Sequence, residues 1–257
     1  MTSVLVTSAS AVLIYMMVIF IIAQIKKNNS IVDMAWGPGF LLIALFQLLP
    51  KENPKITDFI LSAMVFIWAL RLSIHIYFRS KGKGEDFRYA QWRKDWGNKA
   101  VINAFIRVFM LQGVIMLFVA MPIMVVFYNS LNSLTIFSFI GISVFIFGFS
   151  FESIGDYQLY KFKKNQNNKG KIIKSGLWKF TRHPNYFGEA VLWWGIGIFT
   201  IGMKLFFVAL IGPLVLNLLL VFVSGIPLLE KKYDGNPEWE KYKQQTPAFI
   251  PLIGKKG

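Results

Sequence analysis

The chain contains no cysteine. That absence excludes disulfides, thiolate nucleophiles and cysteine-ligated metals. Histidine is almost missing as well: with only His75 and His183 in 257 residues, there is no basis for a histidine-rich metal cage, and no metal is expected. Charge is scarce, at 16% of residues, and acidic charge scarcer still, with 13 acidic against 28 basic side chains. What remains is apolar. A chain that is 55% hydrophobic, with a mean hydropathy of +0.50, cannot hide its apolar surface as a soluble domain. It reads as an integral membrane protein.

Apolar stretches long enough to cross about 30 Å of hydrocarbon occupy residues 4–25, 34–49, 56–78, 104–128, 134–160, 186–201 and 205–229. The second and sixth are short, and only Gly202, Met203 and Lys204 separate the last two. Lysine and arginine collect on the cytoplasmic side of short loops. With seven spans, only Lys51, Lys55 and Lys204 of the 28 basic residues fall on the opposite side. The expectation is an all-α membrane protein of about seven transmembrane helices, with the amino terminus outside and the carboxyl terminus cytoplasmic. The first span has neither a basic leader nor an Ala-x-Ala site and reads as a retained helix. Residues 1–257 read as a single polytopic domain, with no soluble domain left over.

The net charge of +15 has two readings, attraction to anionic lipid headgroups or an anionic cofactor. Nucleic acid is not an expected partner, because the basic residues are spread over four membrane-bounded segments without a reading module. The longest polar connections, 79–103 and 161–185, both fall on the cytoplasmic side.

Charged side chains inside an apolar helix are costly, so each needs a partner or a function. Trp68, Arg71 and His75, spaced three and four apart, share one face of the third span. Arg71 can snorkel to the headgroups, and His75 can satisfy an interhelical hydrogen bond, or both can face a ligand. In the fifth span Glu152, Asp156, Tyr160 and Lys163 form a polar stripe ending at the cytoplasm. Its two like-charged acids suit either a salt bridge to Arg71 or Arg182 or hydroxyls, amides or a cation filling the space between them. The third cluster is Gly176-Leu-Trp-Lys-Phe-Thr-Arg-His-Pro-Asn-Tyr-Phe-Gly-Glu189. Its His183-Pro184 can begin a helix, since proline is tolerated in the first turn. Arg182 beside free backbone amides then favours a phosphate or pyrophosphate, while Asn185, Tyr186 and Glu189 follow on the same helix.

That segment, with Phe151-Glu-Ser-Ile-Gly-Asp-Tyr157 before it and Glu238-Trp-Glu-Lys-Tyr242 and Phe249-Ile-Pro251 after it, resembles the steroid 5-alpha-reductase family. The likeness is greatest to a bacterial branch of that family, with patterns like Ser30-Ile-Val-Asp-Met-Ala-Trp36 and Gly84-Glu-Asp-Phe-Arg-Tyr89. It covers most of the chain and is strongest over 147–251, where the sterol delta-14 and delta-7 reductases share the Arg-His-Pro-Asn-Tyr core.

The resemblance implies a membrane oxidoreductase that uses NADPH to reduce a carbon-carbon double bond conjugated to a carbonyl in a lipid or steroid-like substrate. By position, Asn185, Tyr186 and Glu189 would line the nicotinamide and ribose end, and Arg182 and His183 the pyrophosphate. Glu152 and Asp156 would bind ribose or adenine groups and Lys163 the 2'-phosphate. Arg71 and His75 match cofactor-contacting positions, and Glu230 and Tyr233 fall near another. It would be surrounded by membrane lipids, in a bacterial inner membrane, with the cofactor site facing the cytoplasm.

The substrate half departs from the steroid reductases. Where they polarise a ketone with a glutamine-glutamate pair and a tyrosine, this chain has Asp33-Met34 and Trp68. The catalytic candidates are therefore Asp33, Trp68 and Tyr186. A protonated Asp33 could donate a hydrogen bond, and Trp68 offers an indole N–H; Asp33 equally suits a helix cap. The rival reading is a membrane methyltransferase of the isoprenylcysteine carboxyl methyltransferase type, which shares Arg-His-Pro-x-Tyr and binds S-adenosylmethionine. A third is a non-enzymatic lipid-binding or scaffold protein.

Overall fold

The computed structural model describes residues 1–252 and is helical, with no strand among them. The helices are α1 (Thr2–Ile25), α2 (Ile31–Leu48), α3 (Ile56–Ser80), α4 (Phe87–Val119), α5 (Met121–Asn129), α6 (Ile136–Lys164), α7 (Pro184–Phe199), α8 (Phe206–Tyr233) and α9 (Pro237–Gln245). Six of these, α1, α2, α3, α4, α6 and α8, are long and apolar enough to cross a membrane. The seventh expected span is α7. It has 16 residues, about 24 Å of helix at 1.5 Å per residue, which is short of a full crossing.

The differences from the expected spans have local causes. The stretch 104–128 is not one helix, because Pro122 sits at the start of α5 and divides it from α4 near Ala120. In the other direction α4 extends back to Phe87, where the Asp86 side chain accepts a hydrogen bond from the Arg88 amide and caps it. A π-turn at Phe105–Met110 then interrupts its regular winding. Between α7 and α8 the chain turns through Gly202 (φ 91°) and Leu205 (φ 65°), both left-handed, the first a conformation that glycine adopts without strain.

The chain gathers into two compact units, one formed by Met1–Thr135 with Gly202–Gly212, the other by Ile136–Ile201 with the chain from Pro213 onward. In the first unit α2 packs against both α1 and α3. Polar side chains help hold it: Gln47 donates to the Val4 carbonyl (3.0 Å) and the Ser8 hydroxyl (3.1 Å), and the Tyr15 hydroxyl donates to the Ala35 carbonyl (2.8 Å). Such bonds are useful where lipid supplies no competing water. Gly37 lets α2 approach α3, since a Cβ there would stand 3.0 Å from the Ala69 carbonyl oxygen. Met16, Phe40, Ile43, Leu61, Trp68 and Met116 form its buried core.

The second unit is built on the contact of α6 with α7. Gly141, Gly148 and Gly155 recur every seven residues on α6, and Gly188 and Gly195 on α7, so each set lies on one face. A Cβ at Gly195 would lie 2.5 Å from the Phe145 nitrogen, and one at Gly141 would lie 2.6 Å from the Gly195 carbonyl oxygen. Backbone therefore meets backbone. Gly195→Val is expected to cost about 1–3 kcal/mol through overpacking. Thermal unfolding in detergent checks this against Gly84→Ala, whose added methyl meets no atom within 4 Å; equal midpoints for the two variants would disprove the close contact.

Candidate functional site

In the second unit the α6–α7 contact sets the register of the polar residues. Glu152 and Asp156 are both buried on α6, at 2% and 6% exposure. Asp156 accepts a hydrogen bond of 3.0 Å from the Asn185 side-chain amide on α7. The Asn185 carbonyl oxygen is buried without a hydrogen-bond partner among the described residues. Glu189, one turn further along α7, is buried, while Lys163 at the end of α6 is exposed.

The segment leading into α7 is docked on α6 before the helix begins. The Trp178 indole donates to the Gly155 carbonyl (3.1 Å) and the Leu177 amide to the Gln158 side chain (2.9 Å). His183 then takes the cap position and Pro184 the first turn, as the His-Pro pair predicts. Arg182 is buried at 8% exposure. Its Nε donates to Glu230 Oε1 (2.9 Å) and its Nη2 to Glu230 Oε2 (3.1 Å), a two-pronged ion pair. His183 Nε2 stands 2.9 Å from the same Oε1, and its ring stacks on Tyr186 with centroids 5.6 Å apart. Arg182 Nη1 is directed to the carbonyls of Thr246 (2.7 Å) and Lys243 (3.3 Å).

The C-terminal segment closes this node. The Arg182 amide donates to the Pro247 carbonyl (2.9 Å), and the Thr181 hydroxyl lies within hydrogen-bond reach of the Ala248 and Phe249 carbonyls. The Tyr242 hydroxyl donates to the Trp178 carbonyl, and burial pushes this phenol well above its ordinary pKa. Trp239 packs between Tyr233, stacked on it at 4.6 Å, and the Arg182 guanidinium, 5.8 Å from its ring centre. Arg182, His183, Tyr186, Glu230 and Tyr233 thus come together, and Asn185 with Asp156 adjoins them along α7. Trp239, Tyr242 and Thr181 belong to the same node although no role was expected of them; the Glu238-Trp-Glu-Lys-Tyr242 pattern was the sequence signal for the first two, and the Gly176 to Glu189 segment for Thr181. A separate open pocket of about 330 Å³, lined by Gln158, Lys161, Phe162, Asn165 and Asn168 among others, contains none of the expected site residues.

In the first unit Trp68, Arg71 and His75 share a face of α3. Trp68 is fully buried and meets Phe40 edge to face at 5.5 Å, while Arg71 and His75 are half-buried. Asp33 lies in the first turn of α2. It does not cap that helix. Its Oδ2 accepts from Arg88 (2.9 Å) and its Oδ1 from the Tyr89 hydroxyl (2.5 Å). Nearby, Glu85 accepts from the Asn29 amide (2.6 Å) and from Arg93 (2.9 and 3.0 Å). The two patterns Ser30 to Trp36 and Gly84 to Tyr89 are therefore two sides of one ionic junction.

Long apolar helices with buried, paired charges define a multi-pass membrane protein. Residues 19–246 match the family described as "Protein of unknown function (DUF1295)", and the chain belongs to that family of membrane proteins. No curated protein and no solved structure matches it.

Asp86, in the loop before α4, gives the junction a pH signature. Burial works against its charge, but hydrogen bonds and charge from Arg88 outweigh burial and hold its carboxyl below the ordinary range. A depressed carboxyl contributes stability that is complete above the unfolded value of about 3.9 and is lost as pH falls through the lower folded value. Wild type should therefore be more stable than Asp86→Asn at neutral pH, with the gap narrowing below about pH 4. Thermal midpoints across pH measure it, and a constant gap would remove the coupling.

Proposed function

We propose that the protein is a membrane-embedded, NADPH-dependent reductase of the steroid 5-alpha-reductase type, acting on the carbon-carbon double bond of an enone lipid or steroid-like substrate. The observation that carries this reading is the meeting of Arg182, His183, Tyr186, Glu230 and Tyr233 at the start of α7. These residues come from two segments of the chain, 182–186 and 230–233, and all belong to the expected cofactor set. The donor chemistry fits the cofactor: a guanidinium and imidazole suit a pyrophosphate, and the orphaned Asn185 carbonyl oxygen suits a carboxamide or ribose hydroxyl donor.

In this reading NADPH, when bound, supplies the hydride for the substrate's β carbon. Arg182 and His183 bind its diphosphate, and Asp156 orients Asn185 toward its nicotinamide end. Glu152 and Asp156 serve ribose or adenine groups, Glu189 lines the nicotinamide end, and Lys163 reads the 2'-phosphate. Tyr186 borders the reacting atoms. Asp33 supports the substrate half by fixing Arg88 and Tyr89. The cofactor enters from the cytoplasm, the substrate from the lipid of a bacterial inner membrane.

The deciding experiment is thermal stabilisation of the purified chain in detergent by NADPH, NADH and S-adenosylmethionine. A ligand at 100 times its Kd adds about 2.7 kcal/mol. NADPH should stabilise most; stabilisation by S-adenosylmethionine alone would replace the reductase with a methyltransferase. Lys163→Ala should weaken NADPH by about tenfold or more while changing NADH little, as expected for loss of one charge-assisted phosphate contact. Equal losses for the two dinucleotides, measured by the same titration, would remove Lys163 from the 2'-phosphate.

A further inference from the structure

Glu230 stands where an oxyanion would bind. The Nε–Nη2 edge of a guanidinium is a fork that fits carboxylate and phosphate alike, and on Arg182 that edge is filled by Glu230 at 2.9 and 3.1 Å. His183 Nε2 points to the same carboxylate, at 2.9 Å from Oε1. The remaining nitrogen, Nη1, is committed to the Thr246 and Lys243 carbonyls. A diphosphate therefore cannot simply be added. Placing it beside Glu230 on a guanidinium of 9% side-chain exposure would set two anions against each other with little solvent to screen them.

The backbone around Glu230 is suited to movement. Glu230 lies in the last part of α8, whose winding is already broken there: the short turn Ile226–Glu230 follows a π-turn at Leu219–Val223 and a non-helical Gly225 and precedes a 3-10 turn at Lys231–Tyr233. No long regular helix has to be broken to shift it. Such irregular turns recur where helices rearrange at functional sites.

We propose that Glu230 is an internal counter-anion that a diphosphate-bearing ligand displaces, so that Arg182 and His183 pass from a carboxylate of the chain to the ligand. The inference rests on the reading of these two residues as diphosphate contacts. It makes the ligand-free chain self-sealed: Arg182 stays paired, and the C-terminal segment stays tied to Thr181 and Arg182. It also excludes Glu230 from the set of direct cofactor contacts. Binding then exchanges one ion pair for another, and affinity is limited by the strength of the first.

The test uses inorganic pyrophosphate as probe, with titration calorimetry on the full chain in detergent. Glu230→Gln keeps the shape and an acceptor but removes the charge, and should bind pyrophosphate at least about tenfold tighter than wild type, equivalent to about 1.4 kcal/mol. Adding Arg182→Lys to that variant should abolish the gain. Unchanged, weaker or undetectable binding by Glu230→Gln overturns the proposal and makes Glu230 structural or a co-ligand. Should the glutamine variant not fold, Glu230→Asp, which keeps the charge but withdraws it by one methylene, is held to the same direction of change. The outcome is separable from the reductase reading: tighter pyrophosphate binding without stabilisation by NADPH would preserve the exchange and reject the dinucleotide, and the reverse pattern would do the opposite.

Discussion

The second unit depends on how closely α6 and α7 approach. Gly141 and Gly148 on one helix and Gly188 and Gly195 on the other leave no room for a single methyl group between backbones. In lipid no hydrophobic force drives helices together, so stability comes from contact density and polar complementarity, and small residues maximise the first. The same contact fixes register. A Cβ on Gly188 would strike the Glu152 Cα at 2.7 Å, and one on Gly155 would lie 3.2 Å from the Asn185 nitrogen. The acids of α6 are thus set beside the first turns of α7, where Arg182 and His183 enter. A helix of 16 residues keeps its place because its long partner holds it along its glycine face.

Burial of Arg182 follows from the same economy. A buried guanidinium must have its donors used, and here Glu230 takes one edge while the carbonyls of Lys243 and Thr246 take the other nitrogen. Those carbonyls close α9, whose final C=O groups have no partner within the helix. Arg182 therefore joins the start of α7 to the end of α9 as well as to Glu230. Lysine could not replace it. An ammonium has three donors at one point and cannot span a carboxylate and two carbonyls in different directions.

Much of this was legible in the sequence because its signals are local. Apolar length marked the spans, His183-Pro184 marked the start of α7, and the spacing of Glu152, Asp156 and Lys163 marked one stripe of α6. The failures are also physical. Apolarity does not report where proline divides a helix, so 104–128 read as one span although Pro122 begins α5. Glycines at seven-residue spacing were visible, yet their meaning depends on a second helix with glycines in matching register. The partner of Arg182 is 48 residues away and that of Asp33 is 55 residues away. No spacing rule links such pairs; only the fold brings them together. Asp33 accordingly suited a cap or a hydrogen-bond donor on sequence grounds, whereas its two oxygens accept from Arg88 and Tyr89.

The two ionic nodes follow one pattern. In each, a carboxylate accepts from an arginine and is also bonded to a ring-bearing side chain, Tyr89 for Asp33 and His183 for Glu230. They differ in their surroundings. The Asp33 node is braced by a second pair beside it, Glu85 with Arg93 and the Asn29 amide, and Tyr89 is further reached by Gln112 at 3.4 Å. Loss of any one contact there leaves the segment 84–89 tied by others. Among the described residues Glu230 is the one carboxylate paired with Arg182, and it stands on a single turn between two irregular ones. A braced node suits a permanent joint, and a node resting on one side chain suits an exchangeable one. That difference separates Asp33, which positions the chain around it, from Glu230, on which the proposed exchange turns.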